Sequence, residues 1–183
     1  MPSNSMLITI SGTPGTGKTA VSKVLGKKLG AKLITTDYLA KKYKIPSTLD
    51  SRRKTKIIDT KKLAAAAKKE SRSGKVIFEG HLAHFAPADR VIILRTSPKE
   101  LAKRLKKKGW TRSKINENVE AEAIGVISRE ANGLEIDTTK AGPEKTAALI
   151  ERLLDGRSVQ KKYMKKIDWT KEYVKYLRVK VKM

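Results

Sequence analysis

The sequence predicts an α/β fold in which a five-stranded parallel sheet carries helices on both faces. Three observations lead there. Short apolar, β-branched runs alternate with longer stretches of helical spacing, the pattern of a parallel sheet with crossover helices. Val76-Ile77-Phe78 and Val91-Ile92-Ile93-Leu94 are apolar without interruption, as expected of central strands buried on both sides. The first strand runs directly into a glycine-rich turn and then a helix. The length of 183 residues and a 39% hydrophobic content suit one domain with a real core, or one domain with an appendage.

Met6 to Ser11 forms the first strand. Gly12 to Thr19 is the turn, and Thr19 to Leu29 the helix, with Val21, Val24, Leu25 and Leu29 on one face. Ala31 to Thr35 is a second strand and Asp37 to Tyr43 one or two helical turns. Lys44 to Thr55, with Pro46 and few apolar residues, reads as a loop or mobile segment. Asp59 caps an Ala-rich helix reaching Ser71. Ser97-Pro98 starts a helix to about Lys108, which Gly109 ends. Ser113 to Ala131 reads as one long helix, Leu134 to Asp137 as the fifth strand, and Pro143 to Leu154 as a further helix. Beyond it, Tyr163, Ile167, Val174 and Leu177 recur at helical intervals and predict an amphipathic tail helix. Its plain reading is a stripe docked on the core with its lysines solvated; its functional reading is RNA contact, and the two are compatible on opposite faces.

Gly12-Thr13-Pro14-Gly15-Thr16-Gly17-Lys18-Thr19 fits G-x-x-x-x-G-K-[ST] in full, between strand and helix. Glycines let the backbone wrap an anion, and successive N–H groups with the positive helix end then face phosphates. Gly12, Thr13, Gly15, Thr16, Gly17, Lys18, Thr19 and Ala20 are thus the expected nucleotide-binding residues. Lys18 reaches the β- and γ-phosphates, and the Thr19 hydroxyl ligates Mg2+. The Asn-Lys-x-Asp base-reading motif of GTPases is absent. The candidate strands end in Glu79 and Arg95 rather than in the Asp of motor-type ATPases. A P-loop nucleoside monophosphate kinase-like fold suits the sequence better. The basic stretch 99–112, with Arg104 and Lys108 beside Gly109, then serves as a closing lid (about 108–118), and about 36–58 as an acceptor-nucleotide segment.

Lys and Arg total 42 against 18 Asp and Glu, a net charge of +24. Residues 41–75, 99–112 and 157–183 carry net +10, +6 and +8, so the rest of the chain is neutral. Such concentration implies a polyanionic partner, nucleic acid first; a lysine-coated, heat-adapted surface is the alternative. In the tail, Lys161, Lys165 and Lys175 are candidate phosphate contacts, and Tyr163, Trp169, Tyr173 or Tyr176 candidate platforms for a base. There is no Cys and only two His, which excludes a disulfide framework and argues against a histidine-rich metal centre. No apolar run reaches the roughly 18 residues of a membrane span, and the first residues lack a signal-peptide pattern, so the expected location is cytoplasmic, without membrane contact.

Several local features together resemble one family, the dual-activity adenylate kinase and ATPase family known as adenylate kinase isoenzyme six. They are Thr9 to Thr19, Glu79-Gly80-His81 with Leu82-Ala83-His84, Asp89 to Thr96, Leu101 to Trp110, and the Asn-x-x-x-Glu stretch within Lys114 to Glu122. The resemblance covers about residues 6–155, which makes 1–155 the kinase core and 156–183 a basic helical extension. It implies ATP + AMP ⇌ 2 ADP with Mg2+, ATP hydrolysis, and a role in small ribosomal subunit assembly with a platform ribosomal protein and rRNA. Glu79 would then serve Mg2+ with Thr19, His81 would assist hydrolysis, and Arg104 would neutralise transferring phosphate. Lys108 stands where the family has an arginine, and Glu79 where eukaryotic members have Asp. The very basic 44–56 stretch suits an archaeal source.

Each assignment has a plainer counterpart. Glu79 suits a strand-end acid paired with a lysine, His81 a loop histidine, and His84 packing. Arg104 suits a solvated helix face, and Arg95 either structure or phosphate contact. Thr36 and Asp37 sit where an acceptor nucleotide would lie, although Asp37 equally suits a helix N-cap. Lys140 lies in the expected adenine-contacting loop. Two rival functions remain open at this level: an RNA- and ribosomal-protein-binding factor using nucleotide as a switch, and a metabolic kinase for another monophosphate such as CMP.

Overall fold

The computed structural model describes residues 5–50, 55–156 and 163–181. Its main sheet joins β1 (Met6–Ser11), β2 (Lys32–Thr35), β5 (Lys75–Glu79), β6 (Arg90–Arg95) and β7 (Leu134–Asp137) in the order β2-β5-β1-β6-β7. Every pairing in it is parallel. The alternation of side chains along a strand divides the core in two. Ile8, Ile10, Ile77, Ile92 and Leu94 meet α1 (Lys18–Leu29) and α7 (Pro143–Leu154) on one face. Leu7, Ile34, Val76 and Phe78 meet α2 (Thr36–Lys42) and α3 (Thr60–Glu70) on the other. All nine strand residues are essentially inaccessible to water, which is why the strands read as unbroken apolar runs.

Outside the sheet, α4 (Pro98–Lys107) and α5 (Arg112–Ala123) fold against each other around Leu101, Leu105 and Val119. The terminal helix α8 (Thr170–Val181) joins this small cluster through Tyr173 and Tyr176. Of the expected apolar stripe, Tyr163 packs against the main core and Ile167 is half-buried, both ahead of α8, whereas on α8 itself Val174 and Leu177 stay 42% and 41% exposed and Tyr173 and Tyr176 make the contact.

Three element boundaries also differ from expectation. The predicted helix over 113–131 is two helices, α5 and α6 (Val126–Glu130), separated at Gly125, whose φ of 68° is left-handed. β3 (Ser47–Asp50) lies inside the segment read as a loop and β4 (Thr55–Ile58) begins at its end, and the two pair as an antiparallel hairpin. Asp37 is not the cap of α2: Thr35 is, its hydroxyl accepting from the Tyr38 amide, and Asp37 lies in the first turn. Asp59 does cap α3, accepting from the amides of Lys61 and Lys62.

Candidate active site

The glycine-rich loop takes its shape from backbone freedom and close packing together. Gly12, Gly15 and Gly17 have φ of 146°, 95° and 99°, values costly for any residue with a Cβ. A Cβ on Gly12 would lie 2.5 Å from the Leu94 carbonyl oxygen, and one on Gly15 would lie 2.8 Å from Leu101. The loop is thus clamped between β6 and α4. Thr16 closes it internally, its hydroxyl donating to the Thr13 carbonyl at 2.9 Å. The arrangement leaves the first amides of α1 facing a cavity of about 890 Å³ lined by Gly15 to Val21, a concave site with anion-attracting amides at its floor.

Lys18 Nζ donates to the carbonyls of Gly12 and Thr13 at 2.8 and 3.2 Å. Burial lowers its pKa to about 8; Lys108 pushes the same way, while Glu79 and Glu122 oppose the shift. Thr19 donates its hydroxyl to Glu79 at 3.1 Å, bringing together two hard oxygen groups at the cavity edge. They suit a Mg2+ ion shared with nucleotide phosphates, since Mg2+ typically takes one or two protein oxygens beside phosphates and water. Among the described residues no cluster of three or more acidic or imidazole groups builds a protein-only cage.

Glu79 ends β5 opposite Thr35 of β2, so the turn after it faces the start of α2. Thr36 Oγ1 stands 2.7 Å from the position a Cβ would take on Gly80. It is buried without a hydrogen-bond partner. His81 lies on the same turn, and loss of water around the ring, reinforced by Lys18, holds its pKa below the ordinary histidine value. Asp37 acts on it in the opposite sense. Thr36, Asp37, Glu79 and His81 therefore gather on one side of the loop, none of them lining the large cavity. His84 is structural, with Nδ1 2.9 Å from Ser11 Oγ and Nε2 3.1 Å from Glu130.

The opposite wall comes from α4 and the segment after β7. Arg104, Lys107 and Lys108 line the cavity together with Thr138, Ala141 and Gly142. Arg104 is not a solvated helix residue: its guanidinium donates to the Thr138 carbonyl at 2.7 Å and to Glu100 at 3.0 Å. Lys140 is exposed and turns to a neighbouring hollow beside Trp169, while its neighbours Ala141 and Gly142 line the cavity.

A buried polar network was not foreseen from the residues. Thr13 donates its hydroxyl to Glu122 at 2.6 Å, and Thr138 donates to the Thr16 carbonyl at 2.8 Å. Glu122 in turn accepts from Arg95 Nε at 2.7 Å and from the Thr96 amide at 3.0 Å. Arg95 continues to Glu135 at 2.8 Å and to the Ile167 carbonyl at 3.0 Å. This resolves the open choice for Arg95: it is 2% exposed and tied into structure, not turned toward phosphate. The signal within reach was the Asn-x-x-x-Glu stretch ending at Glu122; a strand-end arginine without a visible acid in sequence gives none.

Of the tail residues, Lys165 and Lys175 are exposed, and Lys161 lies outside the described residues. Trp169 is half-buried, its indole N–H enclosed without a hydrogen-bond partner, and it lines the hollow beside Lys140.

Comparison with known proteins agrees with this geometry. The profile of a family described as an AAA domain matches residues 8–125. A Thermococcus onnurineus protein named "Putative adenylate kinase" is 41% identical over 178 residues, covering 94% of this chain and 96% of its own. Like-named proteins from Pyrococcus furiosus and Methanocaldococcus jannaschii are 40% and 35% identical, covering 98% and 100% of their lengths. Among solved structures, shikimate kinase from Acinetobacter baumannii in complex with shikimate superposes with a TM-score of 0.61 at 16% identity, over 86% of this chain and 97% of its own. Deoxyadenosine kinase from M. mycoides with bound dATP gives 0.51 at 17%, over 82% and 100%. At such identities these two establish the shared fold alone. The full-length match to the archaeal proteins, carried on an intact phosphate loop, places the chain in their family, the adenylate kinase-like P-loop nucleotide kinases.

Proposed function

We propose that the protein catalyses ATP + AMP ⇌ 2 ADP with Mg2+, hydrolyses ATP, and belongs to the isoenzyme-six branch of adenylate kinases. The observation that carries the reading is the pairing of a clamped phosphate loop with a polar cluster on its far side. The cavity lined by the loop, Arg104 and Lys108 takes ATP, and the side holding Thr36 and Asp37 takes AMP. The γ-phosphoryl group then passes from ATP to an α-phosphate oxygen of AMP across the Thr19–Glu79 pair.

The protein's work in such a transfer is positioning and charge neutralisation. The amides from Gly15 to Ala20, with Lys18, hold the β- and γ-phosphates. Because Lys18, among the described residues, bonds only to carbonyls of its own loop, it can exchange them for phosphate oxygens with little rearrangement. Thr19 and Glu79 would hold the Mg2+ ion, which when bound neutralises phosphate charge. Arg104 and Lys108 close over the γ-phosphate, moving with α4. Without AMP, His81 orients a water for hydrolysis; its depressed pKa keeps the ring neutral near pH 7 and able to accept a proton.

The concentrated positive charge supports a second layer of function, contact with rRNA and a small-subunit platform ribosomal protein during assembly. Here Lys161, Lys165 and Lys175 supply phosphate contacts. ADP formation from ATP offered AMP, CMP, UMP or no acceptor tests the enzymatic reading. AMP should be preferred, and Lys18→Ala should lower turnover by about 100-fold or more, the scale of losing one phosphate-directed donor. Wild-type rates in Lys18→Ala would overturn it, and preference for CMP would move the protein to another monophosphate kinase.

A further inference from the structure

The fold brings two basic segments far apart in sequence together: α4 carries most of the basic stretch 99–112, and α8, itself rich in Lys and Arg, packs on α4 and α5 through Tyr173 and Tyr176. Between these helices lies a groove of about 600 Å³, within the roughly 300–1,000 Å³ range of ligand sites. Its apolar lining is Trp110, Ile115 and Tyr176; its cations are Lys103, Lys106 and Arg112, with the Asn116 amide beside them and, among the described residues, no carboxylate in the lining. Lys114 adds a further cation 5.8 Å from the centre of the Trp110 ring.

This groove is separate from the nucleotide cavity, and no residue lines both. The cations of α4 divide between the two: Arg104, Lys107 and Lys108 line the nucleotide cavity, while Lys103 and Lys106 line the groove. Glu100 is engaged by Arg104, and Glu117, Glu120 and Glu172, though on the surrounding helices, do not line the groove. Aromatic rings flanked by lysines and arginine match an unpaired base with its phosphates, because every base offers a face to stack and each phosphate a charge to neutralise. Lysines alone would serve an acidic peptide equally well, but the aromatic lining favours bases. Duplexes keep their bases stacked inside and cannot use it.

The geometry points to a binding site for single-stranded nucleic acid in the α4–α5–α8 groove, a base against Trp110 and phosphates on Lys103, Lys106 and Arg112. It deepens the RNA contact proposed above by moving its centre from the tail lysines to the outer face of the lid, and it does not depend on nucleotide turnover.

The test uses the full chain carrying Trp169→Phe, which leaves Trp110 as the remaining tryptophan. The probe is an oligouridylate of about 12 nucleotides, within the usual site sizes. It should quench Trp110 fluorescence, and adding Lys103→Glu with Lys106→Glu should weaken binding at least tenfold. The charge reversals should also reduce the salt slope by about 1.4 log units per log salt, about 0.7 for each lost contact to a single strand. Both lysines are exposed, so an unchanged circular dichroism spectrum shows the fold intact. Binding without Trp110 quenching, or unaltered by the reversals but lost in Lys165→Glu with Lys175→Glu, overturns the groove and leaves the tail reading standing. No binding at low salt overturns both, and displacement of the oligonucleotide by polyglutamate at equal charge concentration overturns the specificity for nucleic acid.

Discussion

Lys18 shows how one side chain links burial to binding. Its ammonium is desolvated and compensated by two carbonyls and by distant carboxylates, which leaves its pKa near 8. A triphosphate beside it favours the charged form and raises the pKa of the complex. ATP affinity is therefore expected to be flat below about pH 8 and to fall about tenfold per pH unit above it, which calorimetry across that range would show. The sign reverses for the free protein. Folding penalises the ammonium, so unfolding free energy should rise between about 8 and the ordinary value of 10.5 as the lysine is neutralised. Affinity that stays level up to pH 10.5 would mean that Lys18 is not the group meeting phosphate.

Elements were legible where burial decided them and illegible where a single backbone position did. The central strands β1, β5 and β6 stood out because both their faces are covered, and the phosphate loop because its spacing is dictated by three backbone conformations and a lysine. The α5–α6 break was hidden, since Gly125 lies between Ile124 and Val126 in an apolar rhythm that continues across it. The β3–β4 hairpin was hidden for the opposite reason: with Pro46 before it and basic residues throughout, its sequence lacks the apolar alternation of a half-buried strand. Of the candidate site, residues adjacent in sequence were readable, whereas Glu122 on Thr13 joins residues 109 positions apart and leaves no local pattern. The break can be tested. A Cβ at Gly125 meets Ser128 at 3.4 Å, an ordinary contact, so Gly125→Ala should cost the left-handed penalty alone, about 1–2 kcal/mol by denaturant unfolding. A loss below about 0.5 kcal/mol would mean that the chain can pass through as one helix.

At the scale of the whole molecule, the phosphate loop and the C-terminal segment are joined by a single buried chain of bonds. It runs from Thr13 to Glu122, then to Arg95, then to Glu135 and Ile167. The Ile167 amide returns a bond to Glu135 at 2.7 Å, so the segment leading into α8 both donates to and accepts from the network. Arg95, Glu122 and Glu135 are each 2% exposed, and charges this deep hold their positions only while every partner is present. Thr13→Val removes the loop end of the chain and Ile167→Pro the amide at the other. Each should cost about 1–3 kcal/mol, the penalty for leaving a buried carboxylate short of a donor. If the network acts as a unit, the second loss falls on bonds already loosened by the first. The double variant should then be less destabilised than the sum by at least about 0.5 kcal/mol, and the ATP KM should rise in Ile167→Pro although that residue does not line the nucleotide cavity. Strict additivity with an unchanged KM would separate the two ends. A positive coupling would make the tail, and anything that binds the outer face of α4 and α8, a handle on the phosphate loop.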